Sequence, residues 1–203
     1  MKILRIKLKS TVPLLMHSDR TANQFDPINA ELKKITSKRS KTEEDYIEIA
    51  KLEFAASCYY RGNGNSLYEK TMNGMQNGWY MPASNLLATF KNAAKNFKLG
   101  KRFDQSVNIL SDSSFSFPDT SLSPFDLFEK EEYVDMRTVK VQTSKVTRCR
   151  PRFDTWSLTT EMYYEESMID EAEMIKIIDF SSRFIGLCDY RPRFGQFEYK
   201  IEN

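Results

Sequence analysis

Residues 2–9 nearly alternate between apolar and charged side chains, with Ile3 as the exception, and no other pattern in the chain constrains its fold as much. The apolar members are Leu4, Ile6 and Leu8, and the charged members between and after them are Arg5, Lys7 and Lys9. A period of two residues is typical of a β-strand that is buried on one face only. The sequence therefore predicts a half-buried strand over residues 2–9, with Pro13 marking its end or a sheet edge.

Helical and extended patterns then follow in an order that predicts an α+β fold. Helices are predicted over residues 43–56 and 84–97 and from Ser167 onward, and strands over 133–141, 146–164 (bent near Pro151) and 198–201. Thr42 and Asp45 fit a capping box, and Ser84 fits the N-cap of the second helix. This order, with no internal repeat, predicts an antiparallel sandwich of ferredoxin type.

Three stretches lack such periodicity. Residues 17–41 are too polar to bury and are predicted as a surface loop or insertion, four of the seven glycines lie in 62–78, and 104–135 is rich in Ser, Asp, Pro and Phe. With 203 residues, one compact domain that carries an insertion is favoured over two full domains. We assign the whole chain, 1–203, to that domain, with 17–79 as the insertion and 104–132 as an irregular loop region.

The charges are segregated into blocks although the net charge is only +2. No acidic residue occurs from Met136 to Arg152 or from Leu32 to Thr42, and both stretches are rich in Lys and Arg. Such blocks could form one basic face, and the alternative is a solvated surface of mixed sign.

Several classes of chemistry have no support in the sequence. One histidine, without a Gly-x-Ser-x-Gly setting, does not favour a serine or cysteine hydrolase, and the motifs of ATPases and dinucleotide enzymes are absent. Three widely spaced cysteines predict reduced thiols rather than disulfides or zinc. With no apolar run long enough for a membrane span or signal peptide, we expect a cytoplasmic protein with no membrane partner.

The strongest basic motif is Arg148-Cys149-Arg150-Pro151-Arg152. If it is extended, its three guanidiniums share one face, where their repulsion favours an anionic ligand such as a phosphodiester backbone. The alternative is an edge strand protected by charge against aggregation.

A second candidate is the run from Ile185 to Phe197, which lies between a helix and a strand. Gly186 and Gly195 would let backbone amides approach phosphate, Arg191 and Arg193 would pair with it, and Tyr190 or Phe194 would stack on a base. Lys91 and Lys95, spaced four residues apart on a predicted helix, would assist. A glycine at a helix-to-strand turn is also ordinary in an α+β fold.

Two loop carboxylates, Asp19 and Asp26, could bind a hard cation and assist phosphodiester cleavage. The alternative is that Asp26 and Pro27 form a turn.

Three segments, in order, resemble the RAMP superfamily, the RNA-binding proteins from which CRISPR effector complexes are built. They are Ile6 to Ser18 (a first strand and its turn), Tyr80 to Phe90 (the opening of a core helix) and Gly186 to Phe197 (a glycine-rich loop). The resemblance implies a ferredoxin-like, RRM-related antiparallel sheet with helices on one face and a largely helical insertion, and subunits that polymerise along a guide RNA. By position it assigns His17 to ligand contact, and Asp26 to the loop aspartate with which type III effectors cleave target RNA. Ser18 and Arg20, close to His17 in sequence, are further candidates for nucleic-acid contact.

We therefore expect a non-enzymatic protein that binds RNA or single-stranded nucleic acid, without a cofactor, as a homo-oligomer or with CRISPR effector subunits. One alternative is a metal-dependent endoribonuclease that uses Asp26 and Mg²⁺. The other is a virus- or mobile-element-encoded relative that binds or inhibits a CRISPR complex.

Overall fold

The structure, a computed structural model, describes residues 1–62, 78–141 and 143–202. The predicted glycine-rich turns at 63–77 lie outside these residues. The chain divides into two compact units, each built from separate stretches of sequence. The first unit comprises Met1–Leu14, Tyr80–Pro118 and Phe153–Asn203, and the second comprises Leu15–Trp79 and Asp119–Arg152. Residues 17–79, the predicted insertion, thus belong to the second unit together with Asp119–Arg152.

The first unit is an antiparallel sheet with helices. Its strands are β1 (Lys2–Ser10), β4 (Gly78–Met81, which begins in the second unit), β5 (Val107–Asn108), β6 (Ser113–Ser116), β9 (Ser157–Tyr164) and β10 (Phe197–Glu202). Its helices are α3 (Ala83–Asn96), α4 (Gly100–Ser106) and α6 (Glu171–Phe180), followed by a π-helical turn, Ser181–Ile185. The strand order is β10-β1-β9-β6-β4, with β5 also on β9, and each strand pairing is antiparallel.

The alternation of apolar and charged residues in β1 buries one face of the strand and exposes the other, as the sequence predicts. Leu4, Ile6 and Leu8 are buried, and Arg5, Lys7 and Lys9 are exposed. In the register with β9, these three apolar residues lie opposite Met162, Thr160 and Leu158, which are buried too. Burial of one such aliphatic side chain stabilises a fold by about 1.5–3 kcal/mol, so the apolar face fixes the register of the sheet.

The two long helices of this unit lie where the sequence predicts them, but one cap differs. Helix α3 begins at Ala83, whose backbone N–H donates to the Asp112 carboxylate over 2.8 Å, so Ser84 is not its N-cap. Helix α6 begins after Asp170, which forms a capping box with Glu173. Helix α3 packs against α6 and against the π-helical turn.

The second unit combines helices with a β-hairpin. Its elements are β2 (Leu14–Leu15, whose first residue lies in the first unit), α1 (Pro27–Thr36), α2 (Glu43–Ser57), β3 (Tyr60–Arg61), α5 (Pro124–Phe128), β7 (Val134–Val141) and β8 (Ser144–Phe153, whose last residue lies in the first unit). Strands β2, β8 and β7 form a sheet in that order, and β3 pairs with the start of β4. Helix α2 carries the predicted capping box of Thr42 and Asp45.

Three segments differ from the sequence-based expectation. The polar stretch 17–41 contains α1, because Asp26 caps its N-terminus and Pro27 occupies its first position. The predicted long strand over 146–164 is two strands, β8 and β9, because β8 pairs with β7 whereas β9 pairs with β1. The predicted irregular region, 104–132, contains β5, β6 and α5. The protein is nevertheless α+β with antiparallel sheets, as the sequence predicts.

Candidate nucleic-acid interface

The run between the π-helical turn and β10, residues 186–196, is a loop that its own backbone closes; we call it the C-terminal loop. The Leu187 N–H donates to the Gly195 carbonyl oxygen, and the Gly195 N–H donates to the carbonyl oxygen of Pro13, both over 2.8 Å. The hydroxyl of Thr89 on α3 donates to the Gly186 carbonyl oxygen over 3.2 Å. The two ends of the loop are therefore held together and tied to the rest of the first unit.

The two glycines of the C-terminal loop serve this closure. Their φ angles are +75° at Gly186 and +76° at Gly195, which disfavours residues with a side chain. A Cβ on Gly195 would lie 2.0 Å from the Leu187 carbonyl oxygen, and one on Gly186 would lie 2.8 Å from that of Phe194. The sequence predicts that these glycines approach phosphate. In the structure, backbone atoms of the opposite arm of the loop occupy the space that a side chain at either position would need.

The tip of the loop presents arginine and aromatic side chains to solvent. Tyr190, Arg191, Pro192 and Arg193 are exposed in succession. Phe194 is half-buried, and its ring centroid lies 6.1 Å from that of Tyr190 at 86°. Among the residues that the structure describes, no carboxylate lies within 4 Å of the Arg191 or Arg193 guanidinium. The tip thus combines two uncompensated cations with an exposed ring.

The Cys188 side chain contacts strand β4 and helix α3 and so fixes the start of the C-terminal loop. Its Sγ lies 3.6 Å from Met81 Sδ and 3.9 Å from the Asn85 amide nitrogen. Burial raises the pKa of this thiol to about 12, so the group is neutral at physiological pH. A neutral, well-packed thiol acts here as a small apolar side chain. Cys58 and Cys149 are also free thiols, and burial raises their pKa values as well.

Lys91 and Lys95 lie on α3, in the same unit as the C-terminal loop. The Lys91 ammonium is 2.6 Å from the Asp104 carboxylate. Lys95 is exposed and donates to the side-chain oxygen of Asn92 over 3.1 Å. Lys95 is thus the more available of the two cations.

The arginine-rich strand β8 belongs to the second unit and is engaged within it. Arg148 pairs with Glu53 over 2.7 Å, and the other oxygen of that carboxylate accepts from the Cys149 backbone N–H over 3.2 Å. Arg150 is only 7% exposed and lies opposite Asp135 of β7 in the register, whereas Arg152 is half-buried. The segment is extended, as predicted, but the three guanidiniums do not form an open row.

The remaining predicted residues precede α1 in the same unit. His17 is exposed, with Nδ1 3.5 Å from the Ser57 hydroxyl, whereas Ser18 and Arg20 are buried. The Ser18 hydroxyl accepts from the Arg20 backbone N–H. The Asp26 side chain has no solvent exposure; its carboxylate accepts from Arg20 Nε over 2.7 Å and from the Ile28 N–H over 2.9 Å. Asp26 is thus placed as a helix cap and ion-pair partner, away from any substrate in solvent.

The structure therefore separates the predicted residues into two groups. The first unit holds Lys91, Lys95, Gly186, Tyr190, Arg191, Arg193, Phe194 and Gly195; the second holds His17, Ser18, Arg20, Asp26, Arg148, Arg150 and Arg152. The sequence analysis does not identify Thr89 and Glu53, which hold Gly186 and Arg148 in place. Thr89 is a polar residue on the buried side of α3, and that position is a sequence signal for a buried hydrogen bond. For Glu53 there is no such signal, because its partner Arg148 lies 95 residues later in the chain.

Comparison with known proteins adds no assignment, because no protein-family model matches the chain and no curated protein is similar to it in sequence. Within 1–62, 78–141 and 143–202, no three His, Cys, Asp or Glu side chains are grouped so that they could hold a metal ion. No helix in these ranges is both long and apolar enough to cross a membrane.

Proposed function

We propose that the protein binds RNA or other single-stranded nucleic acid without cleaving it, and that it does so through the C-terminal loop. The observation that carries this proposal is the exposed succession from Tyr190 to Arg193, in which two uncompensated guanidiniums lie beside an aromatic ring on a clamped backbone. Guanidiniums pair with phosphate in bidentate fashion, and an exposed ring stacks on any base. Binding of this kind is tolerant of sequence and weakens with salt.

The proposed fold relationship is a ferredoxin-like, RRM-related domain of the RAMP superfamily. Its support is the strand order β10-β1-β9-β6 in an antiparallel sheet. Helix α3 lies between β1 and β6 in sequence and α6 lies between β9 and β10, so the unit repeats the β-α-β-β-α-β plan. The exposed charged face of β1 is consistent with helices on the other face of the sheet. A RAMP-like protein would act in the cytoplasm, as a homo-oligomer or with CRISPR effector subunits.

The ribonuclease alternative depends on Asp26 leaving its present partners. In the described geometry both carboxylate oxygens are engaged, by Arg20 and by the N-terminus of α1. Cleavage through Asp26 and Mg²⁺ would require the ion pair to open, at a cost of several kcal/mol.

The alternative in which the protein binds or inhibits a CRISPR complex requires a protein partner and little affinity for free RNA.

The test is fluorescence anisotropy with labelled single-stranded RNA of mixed sequence, using nuclease-treated protein over a series of salt concentrations. Each arginine that contacts phosphate contributes about 0.7 to the slope of log K against log salt for a single strand. The double substitution Arg191→Ala and Arg193→Ala is therefore expected to lower that slope by about 1.4 and the affinity by at least tenfold. The matched control is Arg183→Ala, which removes an exposed arginine that already pairs with Asp179.

An RNA affinity that the double variant retains in full would overturn the loop as the binding site. If the wild-type protein has no salt-dependent affinity for RNA or single-stranded DNA, the function itself is wrong and the protein-partner alternative is favoured. Incubation with Mg²⁺ in the same assay tests cleavage, and product formation would favour the ribonuclease.

A further inference from the structure

Three phenylalanine rings form a series where α3 and α6 end, in the first unit. The centroids of Phe97 and Phe180 are 5.3 Å apart, and those of Phe180 and Phe184 are 4.9 Å apart. Phe97 and Phe180 are half-buried, whereas Phe184, on the π-helical turn, is 59% exposed. The series therefore ends in an aromatic ring that is open to solvent.

Four exposed cations lie next to these rings in the chain or in space. Three of them, Lys98, Lys101 and Arg102, follow Phe97 in the chain. The fourth is Lys176, whose ammonium lies 4.5 Å from the centroid of the Phe97 ring. No carboxylate lies within 4 Å of any of the four among the residues that the structure describes. We call the three rings and the four cations the basic aromatic face.

The two carboxylates closest to this face in the chain do not balance its charge. The Asp104 carboxylate is 2.6 Å from the Lys91 ammonium, and the Asp179 carboxylate is 2.9 Å from the Arg183 guanidinium. Each is thus paired with a cation outside the basic aromatic face. The face keeps its positive charge and attracts an anionic ligand.

The basic aromatic face is joined to the C-terminal loop through α3 and the π-helical turn. The Gly186 N–H donates to the Ser181 carbonyl oxygen over 2.9 Å, so the loop begins where the turn that carries Phe184 ends. On α3, Thr89 donates to the Gly186 carbonyl oxygen. From Thr89 to Phe97 the helix advances by about 12 Å, at about 1.5 Å per residue. Successive nucleotides of a stacked strand are about 3.4 Å apart, so about four of them span this distance.

We infer that the basic aromatic face is a second contact site for the same single strand that the C-terminal loop binds. An exposed ring among cations stacks on a base while the cations pair with the neighbouring phosphates. A docked protein would instead need an apolar core depleted of charge, whereas this face has one well-exposed ring and four cations. The ligand is single-stranded RNA or DNA, whose bases are free to leave the stack. This second site rests on the proposed function, because it extends the path of the ligand proposed there.

The ring and the cations of the basic aromatic face contribute to binding in different ways. Stacking on Phe184 is not ionic, so Phe184→Ala is expected to lower the affinity about tenfold without changing its salt dependence. Phe184→Tyr keeps a ring for stacking and is expected to retain the affinity of the wild type. Lys101→Ala with Arg102→Ala is expected to lower the slope of log K against log salt by about 1.4, because each cation contributes about 0.7.

The test is fluorescence anisotropy of nuclease-treated protein with labelled RNA of mixed sequence, in lengths of about 4, 8 and 16 nucleotides and over a series of salt concentrations. The longest RNA is able to reach both the C-terminal loop and the basic aromatic face, whereas the shortest is not. The matched control is Lys7→Ala with Lys200→Ala, which removes two exposed cations that lie opposite each other on β1 and β10. All the substituted side chains are exposed, and thermal melting verifies that each variant folds.

The wild type and the control are expected to gain affinity as the RNA lengthens, and the two variants of the basic aromatic face are expected to lose most of that gain. The inference is wrong if either variant binds the longest RNA as tightly as the wild type does, which is also the result for a face that docks a protein. It is wrong too if the control loses as much affinity as the cation variant, because the effect would then reflect net charge alone.

Failure of the second site is distinguishable from failure of the proposed function. If only Arg191→Ala with Arg193→Ala lowers the affinity, the C-terminal loop remains the binding site and the second site is rejected. If the wild type binds no RNA or single-stranded DNA at any length, the proposed function fails and the second site fails with it.

Discussion

The Arg20 guanidinium and the Asp26 carboxylate form an ion pair 2.7 Å long whose carboxylate is closed to solvent. The same carboxylate caps α1 by accepting from the Ile28 N–H. Removal of one partner from a buried pair leaves the other charge uncompensated, at a cost of about 3–5 kcal/mol.

We therefore expect Asp26→Ala to lower the free energy of unfolding by about 3 kcal/mol or more, as measured by urea denaturation. The matched control is Asp19→Ala, which removes an exposed carboxylate seven positions earlier. If Asp26→Ala unfolds at the same urea concentration as the wild type, the structural role assigned to this carboxylate is wrong. The measurement also bears on the ribonuclease alternative, because loss of activity in an unfolded variant would say nothing about catalysis.

Gly195 is the position of the C-terminal loop that tolerates a side chain least. Alanine there would place its Cβ 2.0 Å from the Leu187 carbonyl oxygen, on a backbone with φ of +76°. Gly78 offers a control, since its φ is +108° but a Cβ there would meet nothing within 4 Å. We expect Gly78→Ala to cost only the backbone term of about 1–2 kcal/mol, and Gly195→Ala to cost more and to weaken RNA binding. Equal costs at the two positions would show that the loop opens readily.

Lys98 lies two residues beyond the end of α3 in a left-handed conformation, with φ of +60°, where glycine is the usual residue. Lys98→Gly is expected to raise the free energy of unfolding by about 0.5–1 kcal/mol, because the backbone strain is removed. Lys98→Ala is the matched control, since it removes the charge and keeps the strain. A variant with glycine that melts below the wild type would contradict this reading of the helix end.

The buried thiols make the fold sensitive to alkali. Burial raises the pKa of Cys149 and of Cys188 to about 12, above the value of about 8.5 for an unfolded thiol. Because the folded-state pKa is the higher one, this contribution to stability is complete below about pH 8.5 and is lost as the pH rises toward 12. The urea midpoint is therefore expected to fall between about pH 8 and 10, and to fall less in Cys149→Ala. A midpoint whose pH dependence is identical in that variant would show that Cys149 is not protected from ionisation.

The sequence predicted the elements whose signals are local. The alternation in β1 and the capping box of Thr42 and Asp45 both lie within a few residues of the structures that they specify. Helix α1 differs from the expectation of a loop, because Asp26 followed by Pro27 is typical of a turn as well as of a helix start. Ile28, Leu32 and Ile35 recur at helical spacing, so the sequence does carry a second signal for this helix.

The candidate site was predictable only in part, because its chemistry depends on contacts distant in sequence. The exposure of Tyr190, Arg191 and Arg193 follows from a polar run between a helix and a strand. The engagement of Arg148 by Glu53 does not, since these residues are far apart in the chain and neither has an unusual neighbour. The role of Gly195 is not evident from the sequence either, because a glycine two residues from an arginine is compatible both with phosphate approach and with loop closure.

Strand β1 is synthesised long before both of its partners in the sheet. It pairs with β9 (Ser157–Tyr164) and β10 (Phe197–Glu202), so its apolar side chains stay without their sheet neighbours while residues 11–156 leave the ribosome. Closing so long a loop is slow compared with local helix formation. Helices α1 and α2 can form during translation before this point, whereas the first unit completes only after β10 has left the ribosome. During that interval Leu4, Ile6 and Leu8 are a site at which a chaperone can bind the nascent protein.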